Sequence, residues 1–252
     1  MTWFIFPRPR PRAELRLLCF PYAGGSAISF NSWAAKISER IELGIVQLPG
    51  RENRSHEPFI RSVPGLIPEI GAALQRLDTR PFALFGHSVG AVLAYETTRW
   101  LEAREAVVPI HLTVAARSAP HLPRVERALH KLPDVDLIAK LRSFNGTPQV
   151  LLENQEIMDF FLPRLRADFE INETYIHVAG PRVRCPITAL CGEADSLATA
   201  DELDAWKDLG SSRFSSHRFT GDHFFVHQRE GDVLRLLEST VMASRPAHAA
   251  TA

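Results

Sequence analysis

The chain has 252 residues, 45% of them apolar, which is enough for one large α/β domain with a substantial core. Its 29 Lys and Arg cancel its 29 Asp and Glu, which argues against a binder of nucleic acid or anionic lipid. No apolar run approaches the roughly 20 residues of a membrane-spanning helix. Cys19, Cys185 and Cys191 lie in or beside apolar runs without framework spacing, as free thiols of a reducing cytoplasm do.

In chain order, residues Met1 to Arg12 pair a short apolar patch with alternating Pro and Arg, which is no signal peptide. Strands are expected at Leu15 to Phe20 and Ile41 to Gln47, and an amphipathic helix at Ser62 to Leu77. A third strand, Phe82 to Phe85, runs into a helical pattern from Ala91 to Ala103, followed by a strand at Ile110 to Ala116. From Pro120 to Thr174 the alternation stops. Helical stretches at Val135 to Ser143 and Glu156 to Phe169, punctuated by Pro133, Pro148 and Pro163, point to a helical insertion. It carries Phe144, Phe160, Phe161, Leu162 and Phe169, so it is expected to fold over a site as a lid, or else to serve as a structural cap. The pattern resumes with a strand at Ile187 to Cys191, a helix at Ala200 to Leu209, a strand at Ser216 to Phe219 and a helix at Asp232 to Met242. The polar tail from Ser244 to Ala252 reads as a frayed end. The whole is the pattern of a mostly parallel sheet with helices on both faces, in one domain over residues 1–252.

Gly86-His87-Ser88-Val89-Gly90 stands between a strand and a helix, the setting that gives G-x-S-x-G its meaning in α/β-hydrolases. There the serine sits on a strained turn, with its Oγ at the carboxyl end of the sheet and a helix N-terminus behind it. Ser88 is therefore the candidate nucleophile. It needs a base, and in this fold the acid and the histidine follow it in chain order. His223, in the loop Gly221-Asp222-His223-Phe224-Phe225 after the last strand, is the candidate base; His227 is its rival but is expected within or beside a helix. Asp195, just past the strand ending at Cys191, is the candidate acid, with Glu193 as runner-up, while Asp222 adjoins His223 too closely to reach its ring. Acyl transfer also needs backbone donors for the oxyanion. Val89, after the nucleophile, supplies one; Ala23 in Pro21-Tyr22-Ala23-Gly24-Gly25-Ser26 is expected to supply the other, with Tyr22 a close second. No phosphate-loop pattern or metal-ligand spacing is present, and no cofactor is expected.

With these residues in view, the chain resembles the stand-alone type II thioesterases of modular polyketide and non-ribosomal peptide synthetases. The resemblance rests on Phe20 to Ser26, on Gln47-Leu48-Pro49-Gly50-Arg51-Glu52, on Phe85 to Ala91, on Gly146-Thr147-Pro148, on Leu162 to Phe169, and on Gly221 to Phe225. The Pro-Gly-Arg-Glu and Arg-Ala-Asp-Phe segments are its most particular parts. Val89 stands where Met or Leu is frequent, a departure that leaves the backbone N–H unchanged. The resemblance implies an α/β-hydrolase fold with a helical lid at about residues 120–174. It implies hydrolysis of acyl groups from the phosphopantetheine thiol of carrier proteins, which clears stalled or wrongly primed chains. Ser88, Asp195 and His223 take the family's catalytic positions, and an acyl- or peptidyl-carrier protein is the implied partner of a cytoplasmic monomer. A carboxylesterase, a chain-terminating thioesterase of fatty acid synthesis, and an idle hydrolase fold that only binds a carrier protein are the alternatives.

Overall fold

The computed structural model describes residues 2–123, 128–144, 146 and 149–245. Thr147 and Pro148 of the motif at Gly146, and the tail from Pro246, lie outside the described residues. Seven strands form one sheet in the order β1-β3-β2-β4-β5-β6-β7. They are β1 (Phe4–Ile5), β2 (Leu15–Phe20), β3 (Ile41–Val46), β4 (Phe82–His87), β5 (His111–Ala115), β6 (Ile187–Gly192) and β7 (Phe214–Phe219). All neighbours pair in parallel except β1, which runs antiparallel to β3. The mostly parallel sheet read from the sequence is therefore observed.

The described helices are α1 (Trp33–Lys36), α2 (Val63–Gln75), α3 (Val89–Glu102), α4 (Asp134–Ser143), α5 (Gln149–Leu152), α6 (Gln155–Thr174), α7 (Ala200–Asp204), α8 (Phe225–Gln228) and α9 (Glu230–Ala243). Because strand side chains alternate between faces, Leu84 packs with Leu66 and Ile70 of α2 and Val92 of α3 on one side. Phe85 packs with Trp33 of α1 and Val233 and Leu237 of α9 on the other. β2 and β4 are buried on both faces, which is why they read as unbroken apolar runs.

The strand β1 escaped the sequence reading, since two residues set no period and prolines follow them closely. The helix expected over Ala200 to Leu209 is two pieces, α7 and a 3₁₀ turn over Ala205–Leu209. That turn buries Trp206 completely, and its Nε1–H donates to the Arg117 carbonyl at 2.7 Å.

The insertion between β5 and β6 is helical as expected. α6 runs on to Thr174, past the anticipated end at Phe169, and Pro163 lies within it. Leu137, Leu141, Leu152, Met158, Leu162 and Leu165 give α4, α5 and α6 a small core of their own. No described helix is long and apolar enough to cross a membrane.

Candidate active site

The last residues of β4 lead straight into α3 through Ser88, which sits at φ 58, ψ −121. A side chain with Cβ is strained at positive φ, and such strain persists only where the surroundings impose it. Here they do. A Cβ on Gly86 would meet the Gly90 carbonyl oxygen at 2.3 Å, and one on Gly90 would meet that of Phe20 at 2.1 Å. The two glycines let strand and helix close on the serine, and Ser88 N–H donates to the Ala115 carbonyl of β5 at 2.8 Å.

His223 lies on the turn between β7 and α8, and its Nε2 is 3.0 Å from Ser88 Oγ. Its Nδ1 is 2.9 Å from Asp195 Oδ2. A carboxylate only accepts, so Nδ1 carries the proton and Nε2 is left to take the serine's. The Asp195 side chain is fully buried and its Oδ1 accepts from Leu197 N–H at 2.8 Å, which fixes its orientation. The rivals stand elsewhere. Glu193 is exposed, and Asp222 accepts at Oδ1 from Phe224 N–H and Gln228 Nε2. His227 lies inside α8 with its ring against Tyr22, Phe30 and His87.

His87 is fully buried, with its ring among Tyr22, Phe224 and His227. Its Nε2–H donates to the His223 carbonyl at 2.8 Å, its Nδ1 has no hydrogen-bond partner among the described residues, and Tyr22 and Phe224 meet its ring edge-on. Burial pushes its pKa well below the ordinary histidine value, so the ring is neutral.

Backbone donors are offered by the turn itself and by the loop after β2. Val89 is the first residue of α3, so its N–H has no acceptor within the helix. In the Pro21 to Ser26 loop, Gly24 N–H donates to Asp168 Oδ2, Gly25 N–H to the Tyr22 carbonyl, and Ser26 N–H to Ser29 Oγ. Neither Tyr22 N–H nor Ala23 N–H has an acceptor among the described residues, and both residues line the cavity above Ser88.

That cavity holds about 580 Å³ and has Ser88 and His223 in its wall. Phe144, Phe161 and Phe169 of the insertion line it, as expected of a lid; Phe160 is exposed and Leu162 lies in the insertion's own core. Among the described residues, no group of His, Cys, Asp or Glu is arranged to hold a metal ion. The site also contains an ion pair that the sequence reading left unassigned, between Arg51 and Asp168. Both segments stood out as particular, but nothing in the sequence joins residues 117 apart.

A family model described as "Thioesterase domain" matches residues 15–241. The gramicidin S biosynthesis protein GrsT of Aneurinibacillus migulanus is 38% identical over 93% of this chain and 92% of its own length. The medium-chain S-acyl fatty acid synthase thioesterase of Rattus norvegicus is 34% identical over 88% of this chain and 85% of its own. Among solved structures, the type II thioesterase BorB from the borrelidin biosynthetic cluster superposes with a TM-score of 0.88 at 34% identity, covering 95% of this chain and 97% of that one.

Proposed function

Since the chain belongs to the thioesterase family and is a thioester hydrolase of the α/β-hydrolase fold, we propose that it removes acyl groups from the phosphopantetheine thiol of carrier proteins, in the editing of polyketide or non-ribosomal peptide synthesis. The observation that carries this reading is the chain of contacts Asp195, His223, Ser88 at the wall of a lidded cavity. Relatives named for gramicidin S and borrelidin biosynthesis support its biosynthetic side.

In this reading Ser88 Oγ attacks the thioester carbonyl as His223 Nε2 takes its proton. A thioester has less resonance stabilisation than an ester or amide, and a thiolate leaves readily. The tetrahedral oxyanion faces the Val89 and Ala23 amides, at the N-terminus of α3. Collapse expels the thiol, protonated by His223, and leaves an acyl-serine. Water, deprotonated by His223, then hydrolyses it. Asp195 holds the ring tautomer and stabilises the imidazolium throughout. The apolar residues of the insertion cover the acyl chain, and the long phosphopantetheine arm spans from the carrier surface to the serine.

The test is a comparison of kcat/KM for one acyl group carried on a phosphopantetheinyl carrier protein, on CoA and on p-nitrophenol. A strong preference for the carrier-bound thioester is expected. A preference for CoA or for the free ester would overturn the carrier reading. The rat relative raises a second reading, release of medium fatty acyl chains, which a preference for medium-chain acyl groups over acetyl would favour.

A further inference from the structure

Pro49-Gly50-Arg51-Glu52 and Arg166-Ala167-Asp168-Phe169 take no part in the proton relay, yet the fold brings them together. Arg51, on the loop after β3, and Asp168, in α6, form a two-pronged ion pair, Nη2 to Oδ1 at 2.7 Å and Nη1 to Oδ2 at 2.9 Å. The two side chains are 3% and 1% exposed. Taking both ions out of water is costly, and apolar residues of like volume often fill such a site at least as stably. Stability alone is a weak reason for the pair.

Both partners also hold the same loop. Asp168 Oδ2 accepts from Gly24 N–H at 2.7 Å, and Arg51 Nη1 donates to the Gly25 carbonyl at 2.7 Å. Gly24, at φ 78, lies so close under α6 that an added Cβ would meet Leu165 Cδ2 at 2.7 Å. Farther along, buried Gln47 accepts from Ala27 N–H at 2.8 Å and donates to the Arg51 carbonyl at 3.1 Å. The loop is thus fixed at Gly24, Gly25 and Ala27. Ala23, immediately before the first anchor, keeps a backbone N–H with no acceptor among the described residues, in the wall of the cavity that contains Ser88.

We infer that Arg51 and Asp168 are positioning residues: their ion pair sets the Gly24–Gly25 backbone so that the Ala23 amide faces the oxyanion that forms on the substrate at Ser88. The inference rests on the hydrolase reading above but not on its carrier-protein part. An oxyanion donor acts only from the right place, and small displacements in such sites are expensive in rate. A pair that merely tethered α6 would instead govern entry of a bulky carrier-borne substrate.

Two variants separate these roles. Arg51→Lys keeps a cation beside the buried carboxylate, but a single ammonium lacks the fork that reaches two carboxylate oxygens and the Gly25 carbonyl together. Arg51→Met with Asp168→Leu removes both charges and leaves the loop unanchored. Both are assayed on an acyl-carrier protein and on p-nitrophenyl acetate, with thermal melting as the check on folding. A trifluoromethyl ketone, which forms an oxyanion on Ser88, is titrated alongside. We expect kcat to fall about tenfold in Arg51→Lys and about a hundredfold in the double variant, equally on both substrates. KM stays within about threefold of wild type, and affinity for the ketone falls in step with kcat/KM. An Arg51→Lys enzyme that folds and keeps its kcat on both substrates overturns the inference. So does a loss confined to the carrier-bound substrate. The ester arm tests the inference even where the wild type shows no preference for carriers, and Arg51→Lys decides it should the double variant not fold.

Discussion

The side chain of His87 holds the backbone of His223: its Nε2–H donates to the His223 carbonyl oxygen at 2.8 Å. The histidine that precedes the candidate nucleophile thus braces the backbone of the turn that carries the candidate base, while Asp195 holds that base's ring. Replacing it by Phe keeps a ring among Tyr22 and Phe224 but removes the donor and strands a buried carbonyl. We expect His87→Phe to lower kcat about tenfold with little change in KM, and to cost about 1–3 kcal/mol of stability for the unpaired acceptor. Steady-state kinetics and denaturant unfolding measure the two effects. Unchanged kcat in a folded variant would mean that the contact has no bearing on the base.

Asp195→Asn leaves volume and the Leu197 contact in place. An amide, however, offers its N–H to the ring and favours the wrong tautomer of His223. The expected loss is about 10⁴-fold in kcat, as for a relay acid held in this way. Activity within about tenfold of wild type would assign the acid to another residue.

The glycine that closes the turn at Ser88 is hemmed in by backbone, and a glycine of α9 serves as its control. Gly90→Ala puts a Cβ 2.1 Å from the Phe20 carbonyl, a backbone clash that neither strand nor helix can relieve cheaply. It should destabilise the fold by more than about 3 kcal/mol. Gly231→Ala, in the first turn of α9, meets only Arg235 Nη1 at 3.6 Å and should change stability by no more than about 1 kcal/mol. Denaturant midpoints of the two variants decide it.

His111, at the start of β5, bonds through Nδ1 to Ser244 Oγ at 3.0 Å and through Nε2 to Thr188 Oγ1 at 2.9 Å. Burial pushes its pKa down from 6.5 to about 4, helped by the charge of Arg213. The unfolded chain therefore binds a proton that the folded one refuses. The stabilisation is complete above pH 6.5 and is lost as pH falls towards 4, in total about 3 kcal/mol by linkage. Melting of wild type and His111→Gln between those limits should show the wild type losing more stability on acidification. Parallel curves would contradict the assignment.

The segments where period, length and breakers agreed were legible in the sequence: β2 was read with its true ends, and the turn at Ser88 was placed between its strand and helix. Asp195 and His223 could be chosen because each follows a strand at the sheet's carboxyl edge, where the topology brings them together. The relation of His87 to His223 was hidden, since it joins a side chain to a carbonyl 136 residues away. Arg51 and Asp168 were visible as parts of unusual segments but not as partners. Pairing between the loop after β3 and α6 depends on how the insertion packs, and no local period records that. The short edge strand β1 and the tightening of α7 into a 3₁₀ turn were set by packing on β3 and by the burial of Trp206.

The most direct test is the release of free acid from an acyl-phosphopantetheinyl carrier protein by wild type and by Ser88→Ala, both shown to be folded by circular dichroism. Hydrolysis by the wild type and its loss to the level of the uncatalysed reaction in Ser88→Ala is the predicted result. Substantial release by the folded variant would contradict the account, since the carbonyl would then be attacked by something other than Ser88.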